Sequence, residues 1–222
     1  MPSASPYALA PLFQAVAEAL RRSQAELNQA DLANGDHGDH MVKIFEIAAQ
    51  AAVERQDADL PEAMAYAASL LEEQVDNGSA QVYARGLRAL ADQLRYHEVS
   101  LEDLIAYVQH ALRQEGNSQP PADENVSERR KGAVLKALLS GLVNWQNLEK
   151  GEPATERPLD MGALFEFGLA YLQARQRGGE RPEILAQAAV SVSPLGKIAH
   201  RSQSGRIAIQ AFLQAMQGYP AG

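Results

Sequence analysis

The amino-acid sequence predicts an all-α protein, and three observations carry that expectation. The chain has a single Thr and is rich in Ala, Leu, Gln and Glu, a composition that favours helices over strands. Apolar residues recur at three- and four-residue steps, which puts them on one face of a helix. Clusters of Gly, Pro, Asn, Asp and Ser separate these periodic runs and act as helix ends.

The first run, from about Tyr7 to Asn28, places Leu9, Leu12, Phe13, Val16, Leu20 and Leu27 on one face of a single helix. Met41, Ile44, Phe45 and Ala48 begin a second helix that ends near Gln56. Pro61 suits the first turn of a third, which carries Met64, Ala67, Leu70 and Leu71 to about Val75. Val82, Leu87, Leu90 and Leu94 mark the fourth, and Ser100 with Asp103 resembles a capping box ahead of Leu104, Ile105, Val108 and Leu112. Residues 116–125, with two prolines, read as a surface loop. Ser127 caps a helix running toward Trp145, residues 151–158 form a second loop, and Leu159 to Leu172 is helical until Gly178-Gly179 stops it. A shorter helix from about Pro182 to Val190 follows, then Ser193-Pro194-Leu195-Gly196 and a loop at 202–206 before a last helix with Ile207, Phe212 and Met216.

At 222 residues the chain can bury a substantial core, and no internal linker divides it, so one domain over residues 1–222 is expected. There is no Cys, which removes disulfides, thiolate metal sites and cysteine nucleophiles. A net charge of −8 disfavours nucleic acid and anionic membranes as partners, although a local site can oppose the global sign. Without a signal core or an apolar run of membrane-spanning length, a cytoplasmic location is the default expectation.

The densest chemistry lies in Asp31 to Met41, DLANGDHGDHM. Asp36 and Asp39 are hard oxygen ligands and Asn34 adds a carbonyl oxygen, a set that suits Mg²⁺ shared with phosphate oxygens. Gly35 and Gly38 permit tight turns and close approach of a ligand. If His37 to Met41 opens the next helix, its free N–H groups favour a phosphate. Asp and Asn in this position also serve as plain helix caps, and His37 with His40 could form a transition-metal pair. A second small-residue junction, Asp76-Asn77-Gly78-Ser79-Ala80, precedes the fourth helix and admits either a ligand or an ordinary cap.

Three junctions in this order, on a helical chain of this length, resemble the nucleotide-binding L domain of the dihydroxyacetone kinase family, and fatty acid kinase nucleotide-binding domains look like relatives. The resemblance rests on Leu27-Asn28-Gln29-Ala30-Asp31, Asn34-Gly35-Asp36-His37-Gly38 and His40-Met41, on Asn77-Gly78-Ser79-Ala80-Gln81-Val82-Tyr83, and loosely on Leu195-Gly196 with Ser202-Gln203-Ser204-Gly205. The first loop is about two residues shorter than in the family, the late Asp-Pro-Gly is missing, and the polar family element that falls on Gly132 to Lys136 has lost its distinctive residues. The resemblance implies a barrel of about eight antiparallel amphipathic helices with the ligand held by loops at one end. It places Mg²⁺ on Asp31, Asn34 and Asp36, phosphate against His37, Gly38, Asp39 and His40, the nucleotide, ADP or ATP, against Gly78, Ser79 and Ala80, and Gly205 with Arg206 closing over it. Asn34 stands where the family has an Asp, which points to weaker Mg²⁺ binding.

By the same resemblance the chain is the nucleotide subunit of a dihydroxyacetone-kinase-like (glycerone kinase) phosphotransferase. Phosphate passes to a small hydroxy-ketone on a separate K-type partner, with a phosphocarrier protein or ATP as donor. Two other readings follow from the residues. The altered motifs fit a member that has lost catalysis and acts as a binding or regulatory module, and Asp36, His37, Asp39 and His40 could surround a metal in a hydrolase. Ala- and Leu-rich helix faces fit packing inside a barrel or between two copies, so periodicity leaves a homodimer open.

Overall fold

The computed structural model describes residues 8–97, 101–102, 105–106, 108–109, 170–171, 173–191 and 199–219. Among them there are helices and no strand: α1 (Leu9–Arg22), α2 (Gln24–Ala30), α3 (His37–Glu54), α4 (Leu60–Gln74), α5 (Gly78–His97), α6 (Arg181–Ser191) and α7 (Ala199–Gln217). The expected loops at 116–125 and 151–158, the helix from Ser127, the Ser100/Asp103 box, the Gly132–Lys136 stretch and Ser193–Gly196 lie outside the described residues.

Two of these helices, α4 and α5, start on the side-chain cap their residues dictate. At α4 the Asp59 carboxylate accepts the Glu62 N–H at 2.7 Å, with Pro61 in the first turn where its missing N–H costs nothing. The helical residues 173–177 stop at Gly178 and Gly179, whose φ values of 81° and 124° are open to glycine and strained for other residues.

Two elements differ from the expectation. The first run is not one helix: it turns at Ser23 (φ −104°, ψ 8°), where the Ser23 N–H bonds to the Leu20 carbonyl at 3.0 Å. No Gly or Pro announces that turn. Beyond it Leu27 is fully buried and Asn28 meets the start of α3. The second difference is at 202–206, expected as a loop and found inside α7. Small polar residues have weak intrinsic preferences, and packing overrides them here: Ser204 and Gly205 are both buried.

The helices pack as a connected series. α3 lies against α1, α2 and α4, α5 lies against α4 and α3, α7 lies against α1, α2 and α6, and one apolar core draws on all of them except α2's polar faces. An aromatic row runs through that core. Phe212 on α7 and Phe45 on α3 each sit 6.3 Å from Phe13 on α1, and Tyr83 on α5 meets Phe45 edge-on at 5.2 Å. Each such pair contributes about 0.5–1.5 kcal/mol beyond its buried area. The row ties together α3, α5 and α7, the helices whose N-terminal turns carry the polar residues described next. Among the described residues no helix is long and apolar enough to cross a membrane.

Candidate functional site

The α2–α3 loop is built by its own carboxylates and by α2. Asp31 is 8% exposed, and its Oδ1 accepts the Ala33 N–H at 3.2 Å. The Gly35 N–H bonds to the Asp31 carbonyl at 3.1 Å, and Gly35 takes a φ of 72°, a conformation that closes this turn at little cost only for glycine. α3 then opens at His37, as the motif predicts.

Asn28 governs that opening. Its Oδ1 accepts the Gly38 N–H at 2.6 Å and the Asp39 N–H at 3.2 Å, and its Nδ2 donates to Asp39 Oδ1 at 3.1 Å. Gln24 Nε2 donates to the same Asp39 oxygen at 2.5 Å, and these two bonds hold the carboxyl below the ordinary aspartate range. The glycine at 38 serves the same junction, because a Cβ there would overlap the Gln24 carbonyl oxygen and come within 2.7 Å of Asn28 Oδ1. Asn28 therefore satisfies two of the four N–H groups that a helix start leaves open.

The α4–α5 junction is arranged differently. Asn77 Oδ1 accepts the Ala80 N–H at 2.8 Å and the Asn77 carbonyl accepts the Gln81 N–H at 3.2 Å. Gly78 and Ser79 are then the first two helical residues, whose N–H groups have no acceptor within the helix. Ala80 is fully buried in the core.

A cavity of about 200 Å³ lies between these junctions and the start of α7. The loop lines it with Asp31, Ala33, Asn34 and Asp36, and α3 adds His37 and His40. Asn77, Gly78 and Ser79 form a second wall, and His200 and Arg201 from α7 a third. Of the residues marked in the sequence, Asp31, Asn34, Asp36, His37, His40, Gly78 and Ser79 thus meet at one place. Gly38, Asp39, Ala80, Gly205 and Arg206 do not line it: the first three are turned to α2 or the core, Gly205 is buried within α7, and Arg206 is exposed. In their place stand Asn77, His200 and Arg201. Asn77 belongs to the second small-residue junction of the sequence, whereas His200 and Arg201 precede the 202–206 stretch with no motif of their own.

The electrostatics are graded across the cavity. Burial raises the Asp31 carboxyl, but the Ala33 N–H, the nearby His200 and the N–H groups of Asn34 and Asp36 outweigh it and hold it below its ordinary value. His200 Nδ1 lies 3.9 Å from Asp31 Oδ1, and the His200 ring is 4.6 Å from that of His37. His37 is 5% exposed; burial first, and His200 second, push it down to about 4, so it is neutral near pH 7. Its Nε2 is 2.9 Å from Ser204 Oγ, which itself donates to the Arg201 carbonyl at 3.2 Å. His40 is half-buried, its Nδ1 3.4 Å from Asp36 Oδ1. On the other walls, Asn77 and Arg201 each carry a buried side-chain N–H, Nδ2 and Nε, with no acceptor among the described residues.

Among the described residues no three His, Cys, Asp or Glu side chains gather to hold a metal. The four-residue hydrolase cluster does not form, because Asp39 is bound to Gln24 and Asn28 on the other side of the loop. The chemistry of the remaining donor set fits Mg²⁺ as a shared ligand: two carboxylates and the Asn34 amide line the cavity, hard oxygen donors that phosphate oxygens and water would supplement. In comparisons with known proteins, the chain matches no family model, no curated protein and no solved structure.

Proposed function

We propose that the cavity binds the phosphates of ADP or ATP together with Mg²⁺, and that the protein is the nucleotide subunit of a dihydroxyacetone-kinase-like phosphotransferase acting with a separate substrate-binding partner. One observation carries this reading: stretches around residues 31–40, 77–79 and 200–201, distant in the chain, line a single cavity with oxygen ligands on one wall and N–H donors on another. The helical barrel that the resemblance implies belongs to the same reading.

When bound, Mg²⁺ supplies charge neutralisation at the phosphates. Asp31 and Asp36 offer the carboxylates that would hold it, and Asn34 a neutral oxygen. Gly78 and Ser79 present N–H groups to anionic oxygens, at the positive end of α5. His37, neutral and anchored by Ser204, keeps its shape without adding charge.

The test is calorimetric titration of ADP and ATP with and without Mg²⁺, after mass spectrometry for nucleotide retained through purification. Mg²⁺-dependent binding is expected, and no binding at millimolar nucleotide overturns the proposal. A second reading, binding without phosphoryl transfer, is favoured by the α3 start, where Asn28 occupies two N–H groups that a transferring site could use. Phosphate transfer to dihydroxyacetone in the presence of a K-type subunit would rule that reading out.

A further inference from the structure

We infer that Arg201 is the cationic anchor of the ligand phosphate, with Asn77 beside it, and that the site takes a pyrophosphate-like anion in its own right. The inference rests on the phosphate-binding reading above and deepens it, since the resemblance assigned the site's arginine to position 206.

Three observations support Arg201. It lines the cavity, whereas Arg206 is exposed and does not. Its guanidinium reaches the start of α5, with Nη2 3.9 Å from where a Cβ on Gly78 would stand. Its Nε is buried without an acceptor among the described residues, as is Asn77 Nδ2 on the adjoining wall. A buried N–H without an acceptor is costly, and two residues that each carry one and line the same cavity favour a ligand rich in acceptor oxygens. A planar guanidinium and a side-chain amide beside two open backbone N–H groups match a phosphate oxygen set.

The position on α7 explains the choice. Residues 201 and 206 are five apart, which at 3.6 residues per turn puts their side chains about 140° apart around the helix. Ser204, one turn from Arg201, is on the face that meets His37. The turn containing His200, Arg201 and Ser204 is thus presented to the cavity, while Arg206 faces solvent.

A rival occupant is a single water. A separate void of about 10 Å³ touches Arg201, Ser79, His37 and Ser204, just large enough for one molecule with several polar partners. Such a water could satisfy Arg201 Nε with no role in ligand binding.

The experiment is calorimetric titration of inorganic pyrophosphate, and separately of ADP, with Mg²⁺, into the wild-type protein and the Arg201→Gln, Arg201→Lys and Arg206→Gln variants. Circular dichroism and melting curves verify that each variant folds. Pyrophosphate affinity is expected to fall at least tenfold in Arg201→Gln, to fall less in Arg201→Lys, and to change less than twofold in Arg206→Gln. Equal losses at 201 and 206 overturn the assignment. So does a lower melting temperature in Arg201→Gln with affinity unchanged, the signature of the water. ADP binding that is indifferent to Arg201 sinks this inference and leaves the nucleotide reading standing. Pyrophosphate binding that depends on Arg201, with no ADP binding, does the reverse; no binding of either ligand removes both.

Discussion

The starts of α3 and α5 look alike in sequence, each an Asx-Gly-rich turn ahead of an apolar helix, yet the protein uses them in opposite ways. At α3 the helix start is closed from inside: Asn28 takes the N–H groups of Gly38 and Asp39, Gln24 and Asn28 take the Asp39 carboxylate, and the glycine lets two backbones touch. At α5 the cap is local, a single Asn77 bond to Ala80, and the first two residues face the cavity with space around them. A dense polar motif therefore divides its residues between holding the loop and lining the cavity, and the less conspicuous junction is the more open one.

Glycine substitution gives the sharpest contrast. Gly38→Ala forces a methyl group into the Gln24 carbonyl, and a loss of about 3 kcal/mol is expected in urea unfolding. Gly78→Ala meets nothing nearer than 3.9 Å and should change stability by less than about 1 kcal/mol, with a slight gain from lower unfolded-state entropy. Equal effects at the two sites would erase the distinction between a structural and an open helix start.

Cap removal comes next in size. Asn28→Ala strips the acceptor from two N–H groups and a donor from Asp39, for an expected cost of about 1–2 kcal/mol. Asn77→Ala removes one bond and should cost about 1 kcal/mol or less by the same unfolding measurement. A larger loss at Asn77 would mean that α5 depends on its cap more than α3 does.

The smallest effect near pH 7 concerns His37, the one first-turn residue of α3 that is both buried and on the cavity. Its folded pKa of about 4 lies below the ordinary 6.5, so the unfolded chain binds the proton more readily. The stabilisation is complete above pH 6.5 and is lost as pH falls from 6.5 toward 4, with a slope of at most one proton. Unfolding free energies measured across that range should show the slope in wild type and a shallower one in His37→Asn. Identical slopes would mean that His37 is open to water.

Much of the fold was legible because helices announce themselves by period and by their ends. Pro61 in a first turn, the opening at His37 and the Gly178-Gly179 stop follow from helix-end chemistry and backbone freedom alone. The turn at Ser23 was not legible, since a single residue leaves the helical path without Gly or Pro and with the apolar period intact on both sides. Nor was the helical state of 202–206, where Ser and Gly suggest a loop and burial against α1, α2 and His37 decides otherwise. In the site, Asp31, Asn34, Asp36, His37 and His40 could be found because they cluster in sequence. His200 and Arg201 could not be assigned, because only packing of α7 beside the α2–α3 loop brings them there.

The steric demand at Gly38 bears on how this protein can change over generations. If the proposed ligand is bound, a lineage that abandoned it would remain free to replace Gly78, Ser79 and Arg201, but selection for folding alone would keep Asn28, Gly38 and Asp39 together. Those three would then persist as a fossil of the motif. In any set of descendants, retention of Asn28-Gly38-Asp39 reports only on a chain that still folds, and drift at 78, 79 and 201 is where a lost activity would first be recorded.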